Sequence, residues 1–121
     1  STIEAAYNDS EGVTAQFNLN MLTRINHDLD ADFDEEQFTH RAIYDREHGR
    51  IEMHLVSSRD QTVRVNGHAF ELSTGESIRT EFSYKFSLED IDELADASGF
   101  CIDQCWSDAE EKFSVLYLAA R

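Results

Sequence analysis

The sequence predicts an α+β fold, with a helix packed on a mostly antiparallel sheet and a C-terminal helix and strand pair. Three observations predict it. Apolar residues recur at helical spacing from Thr14 to Leu29. They then fall at alternate positions from about Thr39 to Phe86, with Asn66-Gly67 between two of the alternating runs. Finally, a capped helical segment at residues 87–99 leads into two more strand-like runs.

In "TAQFNLNMLTRINHDL", Phe17, Met21, Leu22, Ile25 and Leu29 form one stripe, and Thr14 stands where an N-cap belongs. Residues 1–11 carry no clear period. Asp34 is placed to cap a short turn from which Phe33 and Phe38 pack inward. "THRAIYDRE" and "RIEMHLVSS" read as strands joined at His48-Gly49, with Ile51, Met53 and Leu55 on one face. Asn66-Gly67 supplies the positive φ of a type I′ turn between "DQTVRV" and "HAFELS". In "SIRTEFSYKF" strict alternation puts Thr80, Phe82, Tyr84 and Phe86 on one side and Arg79, Glu81, Ser83 and Lys85 on the other. The five strands make a meander in the simplest case. In "SLEDIDELADASG", Ser87 is the N-cap, acids fill the first turn and Gly99 is the stop. "FCIDQCWS" and "KFSVLYLAA" follow as strands around an acidic turn.

The length of 121 residues suits one compact domain that buries about two-thirds of its unfolded surface. With 25 acidic against 10 basic residues the formal charge is −15, which argues against nucleic acid and anionic membrane surfaces as partners. No apolar run is long enough to span a bilayer, and residues 1–12 do not read as a signal peptide. On a regular strand Cys101 and Cys105 lie on one face about 13 Å apart, too far for a disulfide. These features lead to the expectation of a cytoplasmic protein with reduced thiols.

Motifs for chemistry are sparse. The acidic run from Asp28 to Glu36 fails as a calcium loop, because Phe33 and Thr39 occupy the places of the required Gly and acid. The five histidines do not pair at metal-ligand spacing, and neither a phosphate loop nor a nucleophile elbow is present. No catalytic or metal-ligating residue is assigned. Glu81 and Ser83 stand out differently. Two residues apart on one strand face, they offer an acceptor and a donor–acceptor about 6.6 Å apart, a spacing that suits a small ring with two polar edges. On spacing alone, a Glu flanked by Arg79 and Lys85 on a wet strand face is the commoner case.

Taken together and in order, "YNDSEGVTAQFNLNMLTRINHDLDADFD", "RIEMHLVS", "GESIRTEFSYKF" and "ASGF…WSDAEEKFSVLYLA" resemble the C-terminal part of the SAM-dependent, histidine-specific Nα-methyltransferases. That family makes Nα-trimethylhistidine, the first step of ergothioneine biosynthesis. The resemblance implies that residues 1–86 are the substrate-binding insert region. Residues 87–121 would be the closing helix and strand pair of the methyltransferase domain.

By the same resemblance Tyr7 helps bind the substrate amino acid, Phe17 and Met53 wall the histidine pocket, and Glu81 and Ser83 read the imidazole. S-adenosyl-L-methionine is expected to be bound by an N-terminal portion upstream of residue 1, so the fragment alone is expected to be inactive. Strands taken from a larger sheet leave an apolar face around Phe100, Ile102 and Trp106, and self-association of the chain, for instance as a homodimer, is expected. Two other readings stay open: a non-enzymatic α+β module that binds a small ligand or partner, and a related methyltransferase acting on another histidine-like substrate.

Overall fold

A computed structural model describes residues 2–121. The order of elements is α1 (Thr2–Tyr7), α2 (Val13–Asp28), a 3-10 turn (Glu35–Gln37), β1 (Phe38–Asp45), β2 (Arg50–Ser57), β3 (Gln61–Val65), β4 (His68–Leu72), β5 (Ser77–Tyr84), α3 (Leu88–Ala97), β6 (Phe100–Ser107) and β7 (Ser114–Ala120). The strand pairings are all antiparallel. The α+β expectation holds. The chain forms two compact units, one ending at Lys85 and the other running Phe86–Arg121, rather than the one compact domain that length alone suggests.

In the first unit the strand order is β1-β2-β5, with β3 and β4 as a separate hairpin. This corrects the meander: β5 bypasses the hairpin and pairs with β2. Asn66 and Gly67 turn the hairpin with φ of 48° and 81°, as the type I′ signal requires. The helix α1 falls in the stretch where no period was legible. The helix α2 begins at Val13, with Gly12 at the N-cap position in the left-handed region at φ 74°, so Thr14 is not the cap. Asp9 does the capping: its carboxylate accepts from the Val13 and Thr14 N–H groups at 3.0 and 3.2 Å. Asp34 caps the short turn as expected, and the rings of Phe33 and Phe38 meet edge-on at 5.7 Å.

Two buried clusters hold this unit together. Leu22, Phe38, Leu55 and Val63 form one, and Ala42, Ile51 and Met53 form the other, against which Ile3, Tyr7 and Tyr44 pack. Full burial of side chains such as Leu22, Ile51 and Leu55 stabilises by about 1.5–3 kcal/mol each. The predicted α2 stripe is only partly inward. Leu22 is buried, but Phe17, Met21 and Leu29 are exposed, and Asn18 takes the second buried position one turn before Leu22. The helix is thus turned so that a polar side chain enters the sheet interface, and Phe17 and Met21 stand at its margin.

A bulge overturns the alternation predicted for β5. Met53 pairs with Glu81 but its neighbour His54 pairs with Arg79, so Thr80 is an extra residue. Residues paired directly across a sheet share a face. Arg79 therefore lies with His54 on one face, and Glu81 and Ser83 lie with Met53 and Ile51 on the other. Phe82 joins Arg79, since the guanidinium groups of Arg50 and Arg79 sit over its ring at 3.7 and 4.2 Å. Thr80 does not share that face, because its hydroxyl reaches Asn18 on α2.

In the second unit α3 carries the expected capping box. The Ser87 hydroxyl accepts from the Asp90 N–H, and the Asp90 carboxylate accepts from the Ser87 N–H. Gly99 ends the helix at φ 82°, and the hairpin of β6 and β7 follows. A second bulge, at Asp103, corrects the cysteine geometry. Cys101 pairs with Ala119 and Cys105 with Leu116, three residues apart on β7, so the two free thiols lie on opposite faces.

Candidate functional site

One buried amide, that of Asn18, organises the site. Its Nδ2 donates to the His54 carbonyl at 3.2 Å and lies 2.9 Å from His40 Nδ1, while its Oδ1 accepts from the Thr80 hydroxyl at 2.7 Å. With the amide nitrogen as donor, His40 Nδ1 accepts and its Nε2–H donates to the Tyr7 carbonyl at 2.8 Å. One side chain on α2 thus ties down β1, β2 and the β5 bulge, and through His40 the end of α1. Its partners are internal, as a fully buried amide requires.

Beside this hub lies a cleft of about 310 Å³. The helix α2 contributes Phe17, Asn18, Asn20, Met21 and Arg24, β2 contributes Met53, and the bulged part of β5 contributes Thr80 and Glu81. The cleft therefore brings together three of the five residues singled out from the sequence: Phe17, Met53 and Glu81. Phe17 remains 66% exposed and Met53 is 2% exposed, so they form an outer and an inner apolar wall. Glu81 lines the cleft while staying open to solvent. Among the described residues no hydrogen bond or ion pair engages its carboxylate.

Tyr7 and Ser83 do not line the cleft. They meet each other two residues further along β5, where the Tyr7 hydroxyl lies 3.0 Å from Ser83 Oγ. The Lys85 ammonium joins them, donating to Tyr7 at 2.6 Å and to Ser83 at 2.9 Å. Its Nζ also sits 4.7 Å from the centre of the Tyr7 ring. The contact with Lys85, ahead of that with Ser83, holds the Tyr7 phenol below its ordinary range, against an opposing effect of burial and of the nearby Glu81 charge. The sequence reading had Lys85 on the Glu81–Ser83 face but took it for a solvated charge. Its place at i+4 from Glu81 was the available signal. Asn18, His40 and Thr80 gave none, because a polar residue in a helical or strand pattern reads as surface.

Over 118 residues, 96% of its length, the chain is 40% identical to histidine N-alpha-methyltransferase of Mycobacterium tuberculosis (strain CDC 1551 / Oshkosh). Over 119 residues, also 96%, it is 42% identical to histidine N-alpha-methyltransferase of Mycolicibacterium smegmatis (strain ATCC 700084 / mc(2)155). Residues 1–120 match the family of SAM-dependent, histidine-specific methyltransferases. The chain belongs to that family. It spans 36% of the length of each of these curated relatives.

Such a family needs a place for its methyl donor. The glycines of this chain stand at turns and helix ends with positive φ, and none belongs to a glycine-rich loop between a parallel strand and a helix. The residues of this segment do not fit a SAM site. Three carboxylates of the acidic run from Asp28 to Glu36 are engaged by local bonds. Asp32 accepts from the Arg64 N–H, Asp34 caps the 3-10 turn, and Asp28 meets His27 and Arg24. Asp45, Glu47 and His48 do bring their ligand atoms within 4.8 Å of one another. There the Asp45 carboxylate accepts from the Glu47 and His48 N–H groups and meets His48 Nδ1 at 2.7 Å, closing the β1–β2 turn. No described helix is long and apolar enough to cross a membrane.

Proposed function

We propose that this chain is the histidine-recognising part of a SAM-dependent L-histidine Nα-methyltransferase of the ergothioneine pathway, acting in the cytoplasm. The observation that carries the reading is the Glu81 carboxylate, unengaged among the described residues and set in a cleft whose apolar walls are Phe17 and Met53. A flat ring held between such walls presents its edge to the carboxylate, which accepts a ring N–H. In this reading Ser83, on the same face two residues on and just outside the cleft lining, meets the second ring nitrogen. Tyr7 anchors the amino-acid end through the polar cluster it shares with Ser83 and Lys85. These five residues bind and select, and none is a catalyst.

Residues up to 86 act as the substrate-binding insert region, and residues 87–121 complete the methyltransferase domain. SAM supplies the methyl group and is held by a part of the protein outside this chain, so the segment alone is inactive. The chain contributes position and discrimination, which matter because a bound amine in line with its reaction partner gains more than any side chain could add chemically. A polar pair covered by the bound ring and left unmatched by the wrong side chain penalises analogues more than a missing methylene does.

The test is methyl transfer by the complete protein to a panel of amino acids. Histidine should exceed phenylalanine, which fits the walls but offers no ring nitrogen, by at least about 100-fold in kcat/KM. A preference for a thiolated histidine would redirect the substrate while keeping the ring-reading pair. Equal turnover of phenylalanine would remove the reading.

A further inference from the structure

The polar cluster beside the cleft has a donor arrangement that bears on which form of the ring the site accepts. An ammonium only donates, so Lys85 fills one acceptor position on Tyr7 and one on Ser83. Of the two hydroxyl protons, one bridges the two oxygens across 3.0 Å. A phenol is a far stronger acid and a better donor than an alcohol, so across this contact Tyr7 is taken to donate and Ser83 to accept. Ser83 Oγ then receives two hydrogen bonds, from Lys85 and from Tyr7. Its lone pairs are occupied, and its own proton is the only group it has left to offer. Lys85 is held in place from the main chain, where its N–H donates to the Gly49 carbonyl at 2.8 Å.

We propose that Lys85 is a specificity-determining positioning residue that fixes Ser83 as a hydrogen-bond donor, so that the site accepts neutral imidazole with its N–H toward Glu81 and its bare nitrogen toward Ser83. This rests on the histidine reading above. An imidazolium carries a proton on both nitrogens and meets the Ser83 donor with a second donor. The Lys85 charge acts in the same direction. Among the described residues, the other charged or titratable groups around this corner are Glu4 and Tyr7 on α1, Arg24 on α2, His40 and Tyr44 on β1 and Glu81 on β5. Of these Glu81 favours the cation, so the rejection falls to the Ser83 side of the ring.

The test uses the complete protein, with kcat and KM for histidine measured from about pH 5.5 to 8.5, across the ordinary imidazole range near 6.5. The parent KM should climb as the substrate ring becomes protonated. In Lys85→Met, KM near pH 8 should rise about 3- to 10-fold, the loss of about one polar contact, with kcat changing less. The acid climb of KM should flatten, because Ser83 is then free to turn a lone pair toward a ring N–H. Should Lys85→Met fail to fold, Lys85→Leu, which likewise offers no hydrogen-bond donor, replaces it. A raised KM with acid limbs parallel to the parent would overturn the proposal, as would a parent KM that does not climb in acid. Glu81→Ala, run alongside, separates the two levels. If it leaves histidine KM unmoved, the histidine reading itself fails. If it raises KM while the Lys85 curves stay parallel, only the role of Lys85 is lost.

Discussion

At the scale of single residues, Asn18 is the most consequential side chain that the sequence did not reveal. It is 1% exposed and meets partners on β1, β2 and β5. Asn18→Ala leaves His40 Nδ1 without its donor and takes one partner each from the His54 carbonyl and the Thr80 hydroxyl, which keeps the Met53 carbonyl at 3.1 Å. It should cost at least the roughly 1–3 kcal/mol of one orphaned buried group, read from urea unfolding of the chain. A loss under about 0.5 kcal/mol, typical of a surface position, would show that the hub is not structural. Apolar residues announce themselves by period, which is why Met53 and Phe17 were legible as wall or core. A buried amide cannot be told from a surface one by pattern, and only the three-dimensional neighbours of Asn18 distinguish it. Lys85 was misjudged for a related reason: its charge suggested solvent, whereas its ammonium is spent on Tyr7 and Ser83.

Elements were legible wherever their period was clean, and opaque wherever one residue was added or a carboxylate acted at a distance. Both bulges, at Thr80 and Asp103, leave composition unchanged but reverse which side chains share a face. Without the first, Arg79 would stand in the Glu81 row. Caps show the same limit. Ser87 and Asp34 were readable because they directly precede their helices, but Asp9 reaches across Gly12 to the α2 N-terminus.

These carboxylates also set the acid stability. The Thr14 and Val13 N–H groups hold Asp9 below the usual carboxylate range. His48 does so for Asp45, the Thr74 N–H for Asp60, the Ser87 N–H for Asp90 and the Phe113 N–H for Asp108. Each folded-state pKa is depressed, so each contribution is in force above the unfolded value near 3.9 and fades as pH falls through the folded value. Thermal melts should therefore give a Tm that holds above about pH 5 and drops below about pH 4, with a smaller drop in Asp9→Asn. A Tm that stays level through acid would mean that these caps form equally in the unfolded chain.

For the whole molecule, the α+β class and the helix-plus-hairpin tail followed from the two hydrophobic periods. Strand order did not, because nothing local tells β5 to pair with β2 rather than β4. The second unit exposes Phe86, Leu94, Phe100, Trp106, Phe113 and Tyr117, far more apolar surface than 36 residues of a solitary unit need. The 13.9 kDa chain should accordingly sediment as larger species whose share grows with concentration, and a single 13.9 kDa species throughout the series would contradict this. The site depends on the first unit, where helix, sheet and bulge converge on one cleft. Its central claim is that Glu81 reads a ring nitrogen there, and the most direct measurement is kcat/KM for histidine in the complete protein with and without Glu81→Ala. A fall of about 10- to 100-fold is expected, equivalent to lost polar contacts of roughly 1.5–3 kcal/mol. Unchanged kinetics in a folded variant would contradict it.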